Sequence, residues 1–295
     1  MRQGHKYNAI RDCHEGKRIS NQSAMPYRTG IHAAYYKWAT GKISRREAEN
    51  EKLAEIIEKI HALHPDMGFR RINDTLLHDY HIHVNDKRVL RICQILEIRS
   101  TIKYCSHSCT RHASNPLYIA ENILNRQFHA ATPDEKWLTD VTELRWQEDS
   151  ETHKIYLSAI LDLYDRRIVA YKISDRNDNS LVFQTFDEAV MANPGAHPMF
   201  HSDRGFQYTG RAFHARLEKA GMLQSMSRVG HCIDNGPMEG FWGILKRESY
   251  YGRRFTSREN LVKMIKEYIT YYNNERVQRN LGRITPMEKH ELLAA

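Results

Sequence analysis

The sequence predicts a domain of the α/β or α+β class, built on a mixed sheet and preceded by an all-α region. Apolar residues recur at helical spacing before residue 100, whereas three strand-like runs followed by alternating helices and strands come after residue 135. The length of 295 residues suggests two domains of roughly 150 residues each. A hydrophobic content of 41% is enough for folded cores and argues against a disordered chain.

The net positive charge is confined to the first part of the chain. Residues 1–130 hold 21 Lys and Arg against 13 Asp and Glu, which accounts for the whole net charge of +8, and residues 131–295 are neutral overall. This asymmetry favours a nucleic-acid-binding module joined to a second function, with an ordinary solvated surface as the alternative. We therefore expect residues 1–130 to provide most of the affinity for DNA.

Composition also indicates the compartment. The 5 Cys are too few and too scattered for a disulfide framework, which fits a reducing cytoplasm. No apolar run approaches the roughly 20 residues needed to span a bilayer. The first ten residues contain no apolar signal core, so we expect neither secretion nor membrane attachment.

The first predicted domain is helical. Residues 1–44 are interpreted as a segment of short helices. A longer helix follows, with Ser44 as its N-cap and Glu47 completing a capping box. Its apolar residues follow helical spacing: Leu53, Ile56, Ile57, Ile60 and Leu63. Pro65 and Gly68 are expected to end it.

Two shorter helices complete this region. One covers Arg70 to Leu77, and the other begins at Asn85 or Asp86. The last helix has an apolar face of Val89, Leu90, Ile92 and Ile95 and basic residues outside it, Lys87, Arg88 and Arg91. Three short helices with a basic last member predict a helix-turn-helix DNA-binding domain over residues 45–102, which would also use Arg70 and Arg71. A three-helix packing domain without a DNA role is the alternative.

A linker is predicted over residues 103–130, because this part is polar and lacks periodicity. The second domain, residues 131–295, is predicted to have five strands and four helices. The strands are Trp137 to Trp146, Lys154 to Leu163, Arg166 to Ser174, Met199 to His201, and Leu223 to Met226. The helices are Asn179 to Met191, Arg211 to Ala220, Gly236 to Glu248, and Ser257 to Tyr272.

Three carboxylates are conspicuous by their position. Asp140 lies inside the first strand, where a charge is costly unless a cation or partner offsets it. Asp203 follows a short strand, at the edge where α/β sheets bind ligands. Glu239 lies near a helix start, with 35 residues between it and Asp203, and Lys246 is two helical turns further on. Each carboxylate alone could be a turn cap or a solvated charge; the joint arrangement is more specific.

Convergence of the three carboxylates would require cations. Mutual repulsion would raise their pKa values unless positive charge lay between them. Oxygen ligands select hard ions, so Mg²⁺ or Mn²⁺ is expected. Two such ions can activate an attacking oxygen and stabilise a leaving one in phosphoryl displacement.

The motifs around these residues resemble one family. WLTDVTEL, HSDRGFQY and DNGPMEGFWGILKRE are similar to the three acidic motifs of the B-frame transposases of the "IS three" family of bacterial insertion sequences. This family is part of the superfamily of DDE transposases and retroviral integrases. YYNNERVQRNLGRITPMEK resembles the family's C-terminal signature, and GFRRINDTLL with NDKRVLRI resembles its helix-turn-helix.

The resemblance implies an RNase H-like catalytic core with a mixed five-stranded sheet. It implies that Asp140, Asp203 and Glu239 are catalytic and hold two Mg²⁺ or Mn²⁺ ions, and that Lys246 and Arg247 contact DNA phosphates. The implied reaction is cleavage at the element's 3′ end followed by strand transfer. The implied setting is the bacterial nucleoid, and the implied partners are double-stranded DNA of the element ends and target, and a second copy of the chain.

An upstream A-frame protein is a further implied partner, either separate or fused by frameshifting. No sustained heptad precedes residue 45, so this chain is interpreted as the B-frame product alone. Two other functions stay open: an RNase H-like nuclease that only hydrolyses DNA, and a non-catalytic DNA-binding regulator. Strand transfer separates the first from a transposase, and the intact acidic triad argues against the second.

Other titratable residues are weaker candidates. The run Cys105, His107, Cys109 and His112 has a spacing tighter than ordinary structural zinc sites, so zinc is not predicted. Asp162 is expected to make a salt bridge or turn contact, and Glu143 to face away from Asp140. His201 and Gln207 flank Asp203 and are expected to support it or to pack beside it.

Overall fold

The computed structural model describes residues 44–102, 118–149, 151–229 and 232–293. The chain divides into two compact units, Met1–Lys59 and Ile60–Ala295. Three predictions fall outside the described residues: the N-terminal helical segment up to residue 43, the first half of the linker, and the Cys/His run.

The predicted helices of the first region are present as α1 (Arg45–Leu63), α2 (Phe69–His78) and α3 (Asp86–Ile95). The capping box of α1 is confirmed, because the Glu47 N–H donates to Ser44 Oγ at 3.2 Å and the Ser44 N–H donates to Glu47 Oε2 at 2.8 Å. Asn85 caps α3 by accepting from the Lys87 N–H at 2.8 Å. The predicted apolar face of α3 is wrong at Ile95, which is 55% exposed at the helix end, while Cys93 is buried instead.

The second region is a mixed five-stranded sheet, which confirms the predicted fold class. Its strands are β1 (Lys136–Glu148), β2 (Glu151–Asp162), β3 (Ile168–Ser174), β4 (Met199–Ser202) and β5 (Leu223–Met226). The strand order is β3-β2-β1-β4-β5. The first three strands form an antiparallel meander, and β4 and β5 continue the sheet in parallel with β1.

The helices that follow are α4 (Asn179–Ala192), α5 (Arg211–Lys219), α6 (Gly236–Leu245), α7 (Arg258–Asn274) and α8 (Pro286–Glu291). The prediction of one α-helix from Gly236 to Glu248 is wrong in its last turn. Lys246–Tyr250 forms a π-helical turn, in which the Tyr251 N–H donates to the Lys246 carbonyl at 2.7 Å. None of the described helices combines the length and apolarity needed to cross a membrane.

The sheet separates two apolar cores, since alternate strand residues point to opposite faces. Leu138 and Leu144 of β1 belong to the core that includes α6 and α7. Trp137 belongs to the other core, with residues of α4 and α5. Asp140 shares the parity of Leu138 and Leu144, so the strand directs its side chain toward the α6 face.

The C-terminal segment contacts α2 and α3 within the second unit. Arg279 pairs with Asp74 at 2.7 Å and with Asp86 at 3.1 Å, and Arg283 also reaches Asp74 at 3.0 Å. Part of the C-terminal sequence signature therefore forms ion pairs with the helix-turn-helix region.

Candidate active site

The sheet register brings Asp140 and Asp203 to neighbouring strands. In the parallel pair of β1 and β4, Leu138 lies opposite His201. Asp140 and Asp203 each come two residues later in the chain, so both lie at the same end of this strand pair. Because β4 ends at Ser202, Asp203 is the first residue beyond its strand.

The two carboxylates influence each other electrostatically. Burial and, next, the charge of Asp203 raise the pKa of Asp140 to about 8. The charge of Glu239 acts in the same direction but contributes less than that of Asp203. Among the described residues, no Lys, Arg or His forms an ion pair with Asp140; its side chain accepts from the Trp242 indole N–H at 3.0 Å.

A tight turn holds Asp203. The Gly205 N–H donates to Asp203 Oδ1 at 2.8 Å. A Cβ at Gly205 would stand 2.9 Å from Asp203 Oδ1, which is closer than real contacts allow, and 3.0 Å from Gln207 Oε1, which is unusually tight. The turn therefore requires glycine if both oxygens are to stay in place, and Gln207 lies beside Asp203 as the sequence suggested.

His201 lies inside the sheet, not in contact with solvent. Its ring nitrogens hydrogen-bond the hydroxyls of Ser225 at 2.9 Å and Ser227 at 3.1 Å. Burial lowers the pKa of His201 to about 4, so the ring is neutral at pH 7. His201 thus links β4 to the β5 segment two residues before Asp203.

Two residues just before α6, Asp234 and Asn235, hold this segment in place by hydrogen bonds, and the sequence does not single them out. The fully buried Asp234 accepts from Arg228 Nε at 2.8 Å, Arg126 Nε at 2.7 Å and Asn122 Nδ2 at 2.9 Å. The hydrogen bonds from Arg228 first, and then from Arg126, lower the pKa of Asp234. Asn235 donates to the Thr139 carbonyl at 3.0 Å, next to Asp140. Their position in the DNGPMEGFW motif was the available signal.

Glu239 occupies the first turn of α6 and is exposed. Desolvation by its neighbours raises the pKa of its carboxyl. Within the described part of the chain, no three His, Cys, Asp or Glu side chains are close enough together to hold a metal ion. The arrangement is therefore a closely coupled pair, Asp140 and Asp203, with Glu239 on the adjoining helix.

The donor set of this pair fits a hard divalent cation. Both side chains offer carboxylate oxygens, which Mg²⁺ and Mn²⁺ prefer. The repulsion that raises the pKa of Asp140 is the kind that a bound cation relieves. Asp140 and Asp203 would hold such an ion, and Glu239 is near enough to influence Asp140 electrostatically.

The weaker acidic candidates have other contacts. Glu143 pairs with Arg145 at 2.7 Å and Lys154 at 3.1 Å. Asp162 makes the expected turn contact, since it accepts from the Tyr164 and Asp134 N–H groups, both at 2.7 Å.

The predicted DNA-binding residues of α2 and α3 differ in exposure. Lys87 and Arg91 are exposed on α3, and Arg88 beside them is half-buried. Arg70 is exposed, with its guanidinium 5.6 Å from the ring centre of Phe69. Lys87 and Arg91 therefore place basic side chains on the exposed face of α3, as a DNA-reading helix requires.

Arg71 has partners within the chain. Its guanidinium contacts Asp66 at 2.7 Å, Glu248 at 2.9 Å and the Tyr271 hydroxyl at 3.0 Å. Lys246 and Arg247 are half-buried in the π-helical turn. The Arg247 guanidinium lies across α6, where a Cβ on Gly243 would stand 2.9 Å from its Nη1. A DNA contact by any of these three residues stays a prediction.

Comparison with protein families defines the class. Residues 130–232 and 239–291 match models described as integrase core domain, and residues 47–104 match one described as HTH-like domain. The mixed sheet with two neighbouring acidic residues is thus an integrase-type core, which supports polynucleotidyl transferase activity.

Relatives narrow this class. A transposase-like protein of Haemophilus influenzae is 40% identical over 70% of this chain and 93% of its own length. The insertion element IS600 31 kDa protein of Shigella sonnei is 34% identical over 89% of this chain and 97% of its own length. The transposase for insertion sequence element IS904 of Lactococcus lactis is 32% identical over 83% of this chain and 96% of its own length. The chain belongs to the insertion-sequence transposases of the DDE and integrase superfamily.

Proposed function

We propose that this chain is a DNA transposase that cleaves the 3′ end of its insertion sequence and joins that end to target DNA. Family membership supports the general activity. The observation that carries the finer reading is the pair Asp140 and Asp203, two electrostatically coupled carboxylates at neighbouring strands of an integrase core.

The proposed reaction has two displacements at phosphorus. In the first, a water oxygen attacks the phosphodiester at the element end, the P–O3′ bond breaks, and the element keeps a free 3′-OH. In the second, that hydroxyl attacks a target phosphodiester, forming a new P–O bond and releasing a target 3′-OH. No covalent bond to the protein is formed.

The catalytic residues in this proposal are Asp140, Asp203 and Glu239. Asp140 and Asp203 would hold Mg²⁺ or Mn²⁺, and Glu239 would complete the shell of one of two ions. Bound divalent ions would supply activation of the attacking oxygen and stabilisation of the leaving one. The chain's own residues fix the geometry: the Gly205 N–H holds Asp203, and Trp242 and Asn235 connect α6 to β1.

DNA binding is assigned to two surfaces. Lys87, Arg88, Arg91 and the α2 residues Arg70 and Arg71 would contact the element end, while Lys246 and Arg247 would contact phosphates near the site. The helix-turn-helix would occupy residues 45–102, and the catalytic domain residues 131–295. The active form would be a homo-oligomer on DNA in the bacterial nucleoid, with the upstream A-frame protein as partner or fusion.

A strand-transfer assay tests this function. A double-stranded oligonucleotide that bears the element's terminal repeat followed by flanking DNA, with the 5′ end of the transferred strand labelled, is incubated with the chain, Mg²⁺ or Mn²⁺, and plasmid target. We expect label covalently joined to plasmid. Cleavage without joining would support the nuclease alternative, and binding without cleavage would support the regulator alternative.

A further inference from the structure

The indole of Trp242 makes the one side-chain hydrogen bond to Asp140 found among the described residues. Trp242 follows Glu239 by three positions on α6, so both residues lie on one side of the helix. Its Nε1–H donates to Asp140 Oδ2 at 3.0 Å, and the side chain is only 6% exposed. The helix that carries Glu239 therefore also contacts the first carboxylate of the site directly.

Comparison with the other described tryptophans shows that packing alone does not require this contact. Trp146, on the same strand as Asp140 and in the same apolar core as Trp242, has a buried Nε1 without a hydrogen-bond partner among the described residues. Trp137 donates to Asp134 at 3.0 Å, away from the site. The core thus accommodates an indole without a partner, whereas the Trp242 N–H is directed at Asp140.

A neutral donor has a particular consequence at this carboxylate. The last torsion of an aspartate has a broad minimum, so repulsion from Asp203 would otherwise favour rotation of the group. Two neutral N–H groups oppose this rotation without adding positive charge: the Val141 backbone N–H and, at Oδ2, the Trp242 indole N–H. A carboxylate offers about four acceptor positions, so most of its capacity stays available to a cation.

We propose that Trp242 is a positioning residue, whose N–H fixes the orientation of the Asp140 carboxylate relative to Glu239 on the same helix. The inference rests on the proposed function, since it treats Asp140 as a ligand for a divalent cation. Phe241, next to Trp242, packs in the same core but has no donor, so it cannot replace this contact.

The test compares three substitutions that each remove one indole N–H: Trp242→Phe, Trp146→Phe and Trp137→Phe. The primary readout is binding of Mn²⁺ alone to the full chain without DNA, measured by electron paramagnetic resonance. Partners that orient a metal ligand typically change metal affinity by about 10-fold or more. We expect this loss for Trp242→Phe and less than about 2-fold for the two controls. Equal affinities for the three variants would overturn the inference.

A second measurement needs no stable variant of Trp242. In the ¹⁵N-labelled full chain, the indole N–H resonance of Trp242 should shift when Mg²⁺ is added, while that of Trp146 stays in place. An unchanged Trp242 resonance at saturating Mg²⁺ would contradict the proposed contact.

A strand-transfer assay distinguishes a failure of the proposed function from a failure of the positioning role of Trp242. If the wild-type chain does not join DNA strands but Trp242→Phe still loses Mn²⁺ affinity, the proposed function fails and the positioning role stands. If the wild type joins strands and Trp242→Phe matches Trp146→Phe in metal affinity and rate, the positioning role alone fails. We expect slower joining by Trp242→Phe, with the salt dependence of DNA binding unchanged.

Discussion

Asp140 hydrogen-bonds a residue of α6 and Glu248 lies in the π-helical turn that follows α6, yet these two acidic side chains have opposite electrostatic surroundings. Burial alone would raise the pKa of Glu248, but Arg276 and Arg71 lower it. Arg276 contacts both of its oxygens, at 2.8 and 3.0 Å, and Arg71 adds a third charged contact at 2.9 Å. Asp140, in contrast, is near another carboxylate, and burial followed by Asp203 raises its pKa.

This difference distinguishes Glu248, a structural residue, from Asp140, whose surroundings suit a metal ligand. At Glu248 the chain supplies its own cations, so the buried charge contributes to holding the π-helical turn against α2 and α7. At Asp140 the hydrogen-bond donors are neutral, the Val141 backbone N–H and the Trp242 indole N–H, and the strongest neighbouring charge is that of another carboxylate, Asp203. Burial alone would not have distinguished the two; the sign of the neighbouring charges does.

The largest expected effect comes from neutralising the site. Asp140→Asn, Asp203→Asn or Glu239→Gln should reduce cleavage and strand transfer to background while DNA binding persists. For Asp140→Asn the free energy of unfolding should be unchanged or higher, because repulsion with Asp203 is removed. Gel-based joining assays and urea unfolding measure the two effects. Full strand transfer by Asp203→Asn, or in EDTA, would contradict the assignment.

Removing the Glu248 carboxylate should lower the free energy of unfolding, in contrast to Asp140→Asn. Glu248→Ala leaves Arg71 and Arg276 without their shared carboxylate, so the free energy of unfolding should fall by about 3–5 kcal/mol. Glu275→Ala, an exposed acid at the end of α7, is the matched control and should change it by less than about 0.5 kcal/mol. Urea unfolding of both variants decides; equal stabilities would mean that the Glu248 cluster contributes nothing.

Lys246 is the first residue of the π-helical turn, so it lies between Glu239 and Glu248 in the chain. If it contacts a DNA phosphate, Lys246→Ala should reduce the salt dependence of DNA binding by about one unit of slope and leave Mn²⁺ affinity unchanged. Lys263→Ala, on the exposed side of α7, is the control. Titrations at several salt concentrations measure the slope, and an unchanged slope would return Lys246 to a purely structural role.

The smallest expected effect concerns the ion pair between His78 and Glu288, which depends on the protonation of the histidine. His78 Nε2 contacts Glu288 at 2.9 Å, and His78 also hydrogen-bonds Asp79. Burial lowers the pKa of His78, but these two partners raise it overall above 6.5. Its stabilising contribution is therefore complete below pH 6.5 and is lost as pH rises through the raised value.

We expect the free energy of unfolding to fall by less than about 1 kcal/mol across that interval, as is usual for partly exposed pairs. His78→Gln should remove this part of the pH dependence. Urea unfolding between pH 6 and 9 measures it, and an identical pH profile for the variant would show that the pair is not coupled to folding.

The sequence predicted the elements that carry the acidic residues better than the contacts between them. A charge inside an apolar strand, an acid after a short strand and an acid at a helix start were all visible at Asp140, Asp203 and Glu239. The parallel pairing of β1 and β4, which brings two of them to the same end of neighbouring strands, joins segments more than 60 residues apart and leaves no local pattern. Their roles, and those of the basic residues, stay predictions.

Other features were missed for similar reasons. The sequence does not single out Trp242, because hydrophobic periodicity predicts where the ring packs and not the direction of its N–H. The pairing of Arg71 with Glu248 spans 177 residues and leaves no local pattern, so the sequence shows only the charge of Arg71 and not this partner. The π-helical turn at Lys246 was also invisible, since its residues continue a helical pattern.

The central claim is that the Asp140 and Asp203 pair is balanced by a divalent cation from outside the chain. The direct measurement is the free energy of unfolding with and without Mn²⁺, for the wild type and for Asp140→Asn with Asp203→Asn. A ligand at 100 times its dissociation constant stabilises the folded state by about 2.7 kcal/mol. We predict a gain of that order for the wild type and none for the double variant. Equal stabilisation of both proteins would place the cation elsewhere and contradict the account.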